Sequence, residues 1–207
     1  MAAPMDTRAA SDAGAGSRLL PVLPLDDVCL MPGASLSLVL DRPESLAAVK
    51  LATRTGDRLL ALARRDADAP PRALHSIGTL AEVRALHELS PLEQRVELDG
   101  LVRARAALVI GGEVLVAEAV ELAEGDAGDE WGGAVEALAR YLHAHADLRS
   151  FLEAQRRSPD AMSWVNLACQ HLPITASARQ KLLEAGAAER CTKISRGLDA
   201  LLRKEQG

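Results

Sequence analysis

His143 and His145, in the stretch "YLHAHADL", are the first candidates for chemistry, because paired imidazoles are common metal ligands. The stretch reads as helix, and residues two apart on a helix point to different faces. The pair is therefore not read as a metal site. His75, His87 and His171 are scattered along the chain and join no ligand pattern. Lys193 and Ser195 have the residue types of a base and a nucleophile, but they too are two apart in a helical pattern and diverge. Seven carboxylates and no basic residue fall between 113 and 130, ending in "EGDAGDE". Acid–base catalysis needs carboxylates on a rigid element, so this run reads instead as a solvated, self-repelling linker. Cys29, Cys169 and Cys191 form no CxxC pair and lie far apart, which fits free thiols in a reducing cytosol. No nucleophile, base and orienting group come together, and no cofactor motif is found, so the sequence offers nothing for an enzyme.

Binding chemistry has better candidates. Arg190, Lys193, Arg196, Arg203 and Lys204 cluster near the C-terminal end and read as the solvated face of an amphipathic helix. Arg84, Arg95, Arg103 and Arg105 could contact phosphates, but Glu82, Glu93, Glu97 and Asp99 alternate with them. The net charge of −5 also argues against a general nucleic-acid binder. Recognition of single strands wants aromatic platforms, and residues 1–130 contain none. The four aromatic residues are Trp131, Tyr141, Phe151 and Trp164, so the chain divides into two parts with different core chemistry. Trp131 and Trp164 read first as packing residues of the second part and next as anchors of a groove between the parts. Met31, beside Pro32–Gly33, is a candidate loop contact for flexible apolar ligands.

The elements that must position these residues follow from periodicity. Hydrophobic residues make up 48% of the chain and charged ones 26%, as in a globular fold with a real core. Abundant arginine over lysine fits the GC-rich coding of a bacterial chain. Residues 1–17 lack any pattern and read as a disordered tail. "PVLPLDDVCLMPGASLSLVL" (21–40) is apolar enough to raise a membrane span. However, Asp26 and Asp27 would each cost about 2.5–3.5 kcal/mol at a membrane centre, which cancels the gain from its leucines. Two strands about a Pro32–Gly33 turn fit better, with Leu36, Leu38 and Leu40 alternating. A helix is expected over 42–57, a strand over 58–65, a loop over 66–73 and a long strand over 76–89, with Gly78 suited to a bulge. Strand alternation follows over 92–100, then a hairpin over 101–122 turning at Gly111–Gly112. Helical patterns cover 131–157, 158–172 with Ser158 as the cap, 175–186 and 187–204. The resulting units are a tail (1–17), a β domain (18–122), an acidic linker (123–130) and a helical bundle (131–207).

Taken in order, particular residues in these segments resemble the N-terminal substrate-binding domain of Lon proteases. "LPLDDVCLMPGASLSLVL" (23–40) resembles that family's opening signature through Leu23, Pro24, Leu25, Asp27, Pro32 and Gly33. "LLALARRD" (59–66), "IGTLAEV" (77–83, with Gly78) and "ELDGLVRARAAL" (97–108, with Gly100, Arg103 and Arg105) follow in the family's order. "HLPITASARQKLLEAGAAERCTKISRGLDALL" (171–202) resembles its helical end, where Leu172–Pro173 precedes a helix. The resemblance implies an α+β fold: a PUA-like, strand-rich pseudo-barrel with one helix, followed by a C-terminal α-helical bundle. It also implies binding of unfolded or tagged polypeptides in the cytoplasm, an ATP-dependent protease as a partner, and a role in homo-oligomer assembly. The phosphate loop of the Lon ATPase is missing, since "GAGSR" (14–18) lacks its lysine, and the chain ends before a peptidase domain could begin. A stand-alone, non-enzymatic protein-binding module is therefore the first expectation. A PUA-like RNA-binding module is the alternative.

Overall fold

The computed structural model describes residues 18–56, 58–65, 73–156 and 160–205. The expected tail, most of the expected 66–73 loop and the expected Ser158 cap lie outside the described residues. The chain runs β1 (Arg18–Leu25), β2 (Ser35–Leu40), α1 (Pro43–Arg54), β3 (Arg58–Ala63), β4 (Ile77–Ser90), β5 (Glu93–Ile110) and β6 (Val116–Glu121). Five helices follow: α2 (Glu130–Ala144), α3 (Ala146–Gln155), α4 (Ala161–His171), α5 (Ala176–Glu184) and α6 (Ala187–Glu205). No helix among the described residues is long and apolar enough to cross a membrane. The apolar 21–40 run is strand, turn and strand.

One long strand closes the sheet. The described strands order as β2-β5-β4-β3-β1-β6, and β5 also pairs with β6. The first half of β5 lies between β2 and β4; further on it leaves β4 at Arg105 and pairs with β6 from Ala104 to Ile110. Register shifts along β4–β5 and at Ala106/Leu108 bend the ribbon, as closure of a small barrel requires. The sequence pattern splits 92–110 at Gly100, but the backbone runs through without a break. Gly78 serves a close approach to a neighbouring strand, and the bulges fall later. A Cβ at Gly78 would collide with the Ala61 carbonyl oxygen, so only glycine lets β3 and β4 come this close.

Alternation then explains the apolar runs. Val22, Leu60 and Leu62 join one cluster with Leu80, Ala104, Ala117 and Ala119. Their neighbours Leu23, Leu25, Leu59 and Ala61 point the other way, into a larger cluster. Both faces of the second half of β1 and of β3 after Arg58 are buried, so "LLALA" is apolar without interruption. The larger cluster continues into the helices through Leu138, Tyr141, Leu152, Val165 and Leu183. The barrel's outer face and the bundle thus share one core.

The helical half differs from expectation in two places. The 131–157 pattern is broken at His145, whose φ of −125° and ψ of 70° end α2. Its ring stacks on Tyr141 with centroids 4.1 Å apart, Nδ1 lies 2.8 Å from the Tyr141 carbonyl, and Nε2 lies 3.3 Å from Glu205. His145 is a helix end, and exposed His143 does not share its surroundings. α4 is capped by Asp160, which accepts a 2.7 Å bond from the Ser163 amide. α5 is capped by Thr175, as its sequence implies.

Candidate functional site

The Pro32–Gly33 turn is the joint between barrel and bundle. Gly33 has φ of 77°, a left-handed conformation that glycine adopts without strain. Its amide donates to the Gly100 carbonyl at 2.8 Å, and the Gly100 amide donates to the Ala34 carbonyl at 2.8 Å. A Cβ on Gly100 would overlap the Met31 carbonyl oxygen. On the helical side, the Met31 amide donates to Gln170 Oε1 at 2.8 Å, and a Cβ on Gly33 would sit 3.4 Å from that of Ser163. Two glycines far apart in sequence meet at this joint, Gly33 for its backbone conformation and Gly100 for the close approach of Met31.

A groove opens beside this joint, between β2–β5 and α3–α4. One cavity of about 200 Å³ is lined by Gly33, Ala34, Gly100, Leu101, Ser163 and Leu167. A second of about 210 Å³ shares Asp99 and Leu167 with it and adds Leu36, Leu98, Phe151 and His171. The floor is sheet and the wall is helix. Phe151 is 44% exposed and meets the His171 ring edge-on, with centroids 4.8 Å apart. Burial, then the Arg179 charge, holds the His171 pKa below its ordinary value, so this ring is a neutral, largely apolar surface at neutral pH. Ser35 Oγ donates to Asp99 Oδ1 at 2.7 Å, and Arg84 pairs with Asp99 at 3.4 Å, which sets a polar strip along one side. Such a groove has apolar contact area and orienting polar groups, and it has no paired acid and base.

A polar seam beneath it locks the halves together. Arg190 is 0% exposed. It donates to the Leu182 carbonyl at 2.9 Å, the Ala185 carbonyl at 3.0 Å and Asn166 Oδ1 at 2.7 Å. Glu124 stands 3.0 Å from Arg190 and 3.6 Å from Arg103, so one carboxylate serves two buried guanidiniums. Burial and the Arg190 charge push the Arg103 pKa down, and Glu124 opposes both. Arg103 also donates to the Glu184 carbonyl at 3.1 Å. Gln180 bridges the Ile77 carbonyl and Glu184, each at 2.9 Å.

The residues singled out by sequence fall into three groups. Leu23, Leu25, Gly78, Gly100, Arg103 and Leu172 are buried structural positions, with Pro32–Gly33 at the joint. Pro24 lies in β1, Asp27 ends that segment with φ of 51°, Arg105 is exposed on β5, and Pro173 follows α4. Met31 needs correction: it is 0% exposed, so its side chain belongs to the core and is not a loop contact. Trp131 is half-buried at the start of α2 and lines neither cavity. Trp164 is half-buried on α4, and the Arg156 guanidinium, which borders the first cavity, lies 5.2 Å over its ring.

Sequence reasoning missed Arg190, Glu124, Asp26 and the Phe151–His171 pair. Arg190 is not on the solvated face of α6. It falls among Ala187, Cys191 and Ile194 at helical spacing, and that spacing was the available signal. Glu124 is not a freely solvated linker carboxylate. Asp26 pairs with Arg64 at 2.6 Å and Arg42 at 3.3 Å, while its neighbour Asp27 matches the motif.

Barrel, shared core, helical bundle and lateral groove together define an α+β domain, a strand-rich barrel followed by a C-terminal helical bundle. This chain belongs to the family of the ATP-dependent protease La (LON) substrate-binding domain, whose sequence model matches residues 19–199. It is 28% identical over 180 residues to the Lon protease of Xanthomonas oryzae, covering 80% of this chain and 21% of that protein. It is 41% identical over 108 residues to the Lon protease of Salinispora arenicola, covering 51% of this chain and 13% of that protein. The chain thus spans about a fifth or less of these curated relatives. The N-terminal domain of the Mycobacterium avium complex Lon protease superposes with a TM-score of 0.73 at 21% identity, covering 88% of this chain and 98% of that one. Family membership supports a substrate-binding role, and the matched region is a substrate-binding domain rather than a catalytic one.

Proposed function

We propose that this chain is a non-enzymatic binding module that takes extended, apolar stretches of unfolded or tagged polypeptides into the groove between β2–β5 and α3–α4. It would act as an adaptor in the cytoplasm, presenting clients to an ATP-dependent protease. The observation that carries this reading is the groove itself. Leu36, Leu98, Leu101, Leu167 and exposed Phe151 line one channel, and Arg84, Asp99 and His171 stand beside it. Its β-sheet floor and its length over two cavities suit an extended chain better than a compact ligand. Among the described strands β2 has a hydrogen-bonded neighbour on one side only, so a client strand would have main-chain groups within reach. Trp164, through Arg156, belongs to this proposed surface; Trp131 supports the bundle behind it.

The test is anisotropy with a fluorescein-labelled, reduced and carboxymethylated protein that cannot fold. Binding is expected, and Phe151→Asp is expected to weaken it by about tenfold or more, as loss of a central aromatic anchor does. Phe151 is already half in solvent, so the melting temperature should hold. Unchanged affinity in Phe151→Asp overturns the groove assignment. Tighter binding of a labelled single-stranded RNA, with the unfolded probe displaced, would promote the RNA-binding reading instead.

A further inference from the structure

A second groove lies between α5 and α6 and shares no lining residue with the first. Leu172, Ile174, Ala178 and Leu182 form one wall, and Ile194, Gly197, Leu198 and Leu201 form the other, around about 240 Å³. The lining is apolar except for two residues on opposite rims, Lys181 and Lys193. Lysine is scarce here: the chain has four, at positions 50, 181, 193 and 204. Lys204 is eleven residues after Lys193, three helical turns, and so shares its side of α6. Two of the four lysines therefore line one apolar groove, and a third follows on the same side of α6. Lys193 touches Glu189 at 2.8 Å, an exposed pair one turn apart that a partner carboxylate can replace.

Gly197 is the second observation. It lies in the middle of the 19-residue α6, where glycine is a poor helix former, and a Cβ there would meet nothing within 4 Å. Internal packing does not require this glycine. It keeps the groove wall bare where an occupant would approach the helix backbone.

We propose that the α5–α6 groove docks an acidic amphipathic helix of a partner protein. Its leucine-type residues at i, i+3, i+4 and i+7 would fill the channel, and flanking carboxylates would meet Lys181, Lys193 and Lys204. The groove wall from Lys193 to Leu201 is about two helical turns long, which sets the length of the docked segment. A second copy of this chain placed face to face would set lysine against lysine, so charge disfavours that occupant. This surface is separate from the client groove, and the chain could hold a client and a tethering partner at once.

The experiment uses two fluorescein-labelled helical peptides with the same leucine pattern, one with glutamate and one with lysine at every other position. The acidic peptide is expected to bind and its basic twin to fail, with affinity falling about tenfold or more as salt rises. Gly197→Glu meets no neighbour and improves helix propensity, so the fold should hold while the acidic peptide loses about tenfold in affinity. The Lys181→Glu/Lys193→Glu double variant should reverse the preference between the peptides. Equal binding of both peptides, or unchanged binding by Gly197→Glu, overturns the proposal. So does loss of peptide binding in Phe151→Asp, which would place the peptide in the client groove. Self-association that Gly197→Glu abolishes would also overturn it, giving the groove to a second copy.

Discussion

Glu124 shows what a single carboxylate does when two buried cations depend on it. Arg103 and Arg190 are both nearly solvent-free, and both lie within ion-pair distance of it. Replacing it with glutamine keeps the shape and leaves two guanidiniums without a counter-charge. Glu124→Gln is expected to cost about 3–5 kcal/mol in urea unfolding, the range for a broken buried pair, because both Glu124 carboxylate oxygens are buried. A loss near zero would mean that the carbonyl acceptors alone satisfy the arginines. His171 makes an opposite, pH-dependent contribution. Its pKa is lowered in the fold, so the unfolded chain binds the proton more readily. Stability from this residue is complete above the unfolded value and falls as pH drops below about 6.5. His171→Gln should flatten the stability profile between about pH 7 and 5 relative to the parent chain. An unchanged slope would show that His171 does not set the pH dependence in that region. These residues were hard to read from sequence because partners far apart in the chain define them. Glu124 looks like one member of an acidic run until Arg190 arrives 66 residues later.

At the scale of elements, spacing carried most of the information. The alternation in "SLSLVL" and the Thr175 start of α5 follow from local sequence, and the structure holds both. β5 was misread because Gly100 resembles a strand end. Its real constraint is the Met31 carbonyl, which no local pattern records. Gly100→Ala forces either the Pro32–Gly33 turn or β5 to move and should cost about 1–3 kcal/mol or more, the range for overpacking. Because that turn also borders the client groove, affinity for the unfolded probe should fall in the same variant. Thermal unfolding and anisotropy on one preparation would check both. A stable variant with intact binding would show that the joint is more elastic than its contacts imply. The groove itself was only half legible. A cleft between the halves is open to a sequence reading, but Phe151 stands on α3, a helix set apart by the break at His145, and its partner His171 comes from α4.

For the whole molecule, the distribution of reporter side chains turns the domain question into a measurement. The aromatic split in the sequence points to a β unit and a helical unit with separate cores. The packing opposes full independence, because Leu23, Leu25 and Cys29 share a cluster with Leu138, Tyr141 and Val165. Both tryptophans belong to the helical half, so their fluorescence follows the bundle. Cys29 reports the contact between barrel and bundle, since its thiol donates to Gln180 Oε1 of α5 at 3.5 Å. Its thiol is buried and its pKa is pushed up to about 12 by burial, so it is inert toward disulfide reagents until α5 parts from the barrel or the barrel opens. A variant with Cys169 and Cys191 replaced by alanine would isolate that signal. If the shared core and the Arg103–Glu124–Arg190 seam make one cooperative unit, tryptophan fluorescence and Cys29 labelling will show the same urea midpoint. If Cys29 becomes reactive well before or after the fluorescence changes, barrel and bundle open separately, and the groove between them is a hinge. The first outcome fits a preformed client groove that binds without rearrangement. The second requires that a client select a closed or an open arrangement, and its apparent affinity would then carry the energy of that choice.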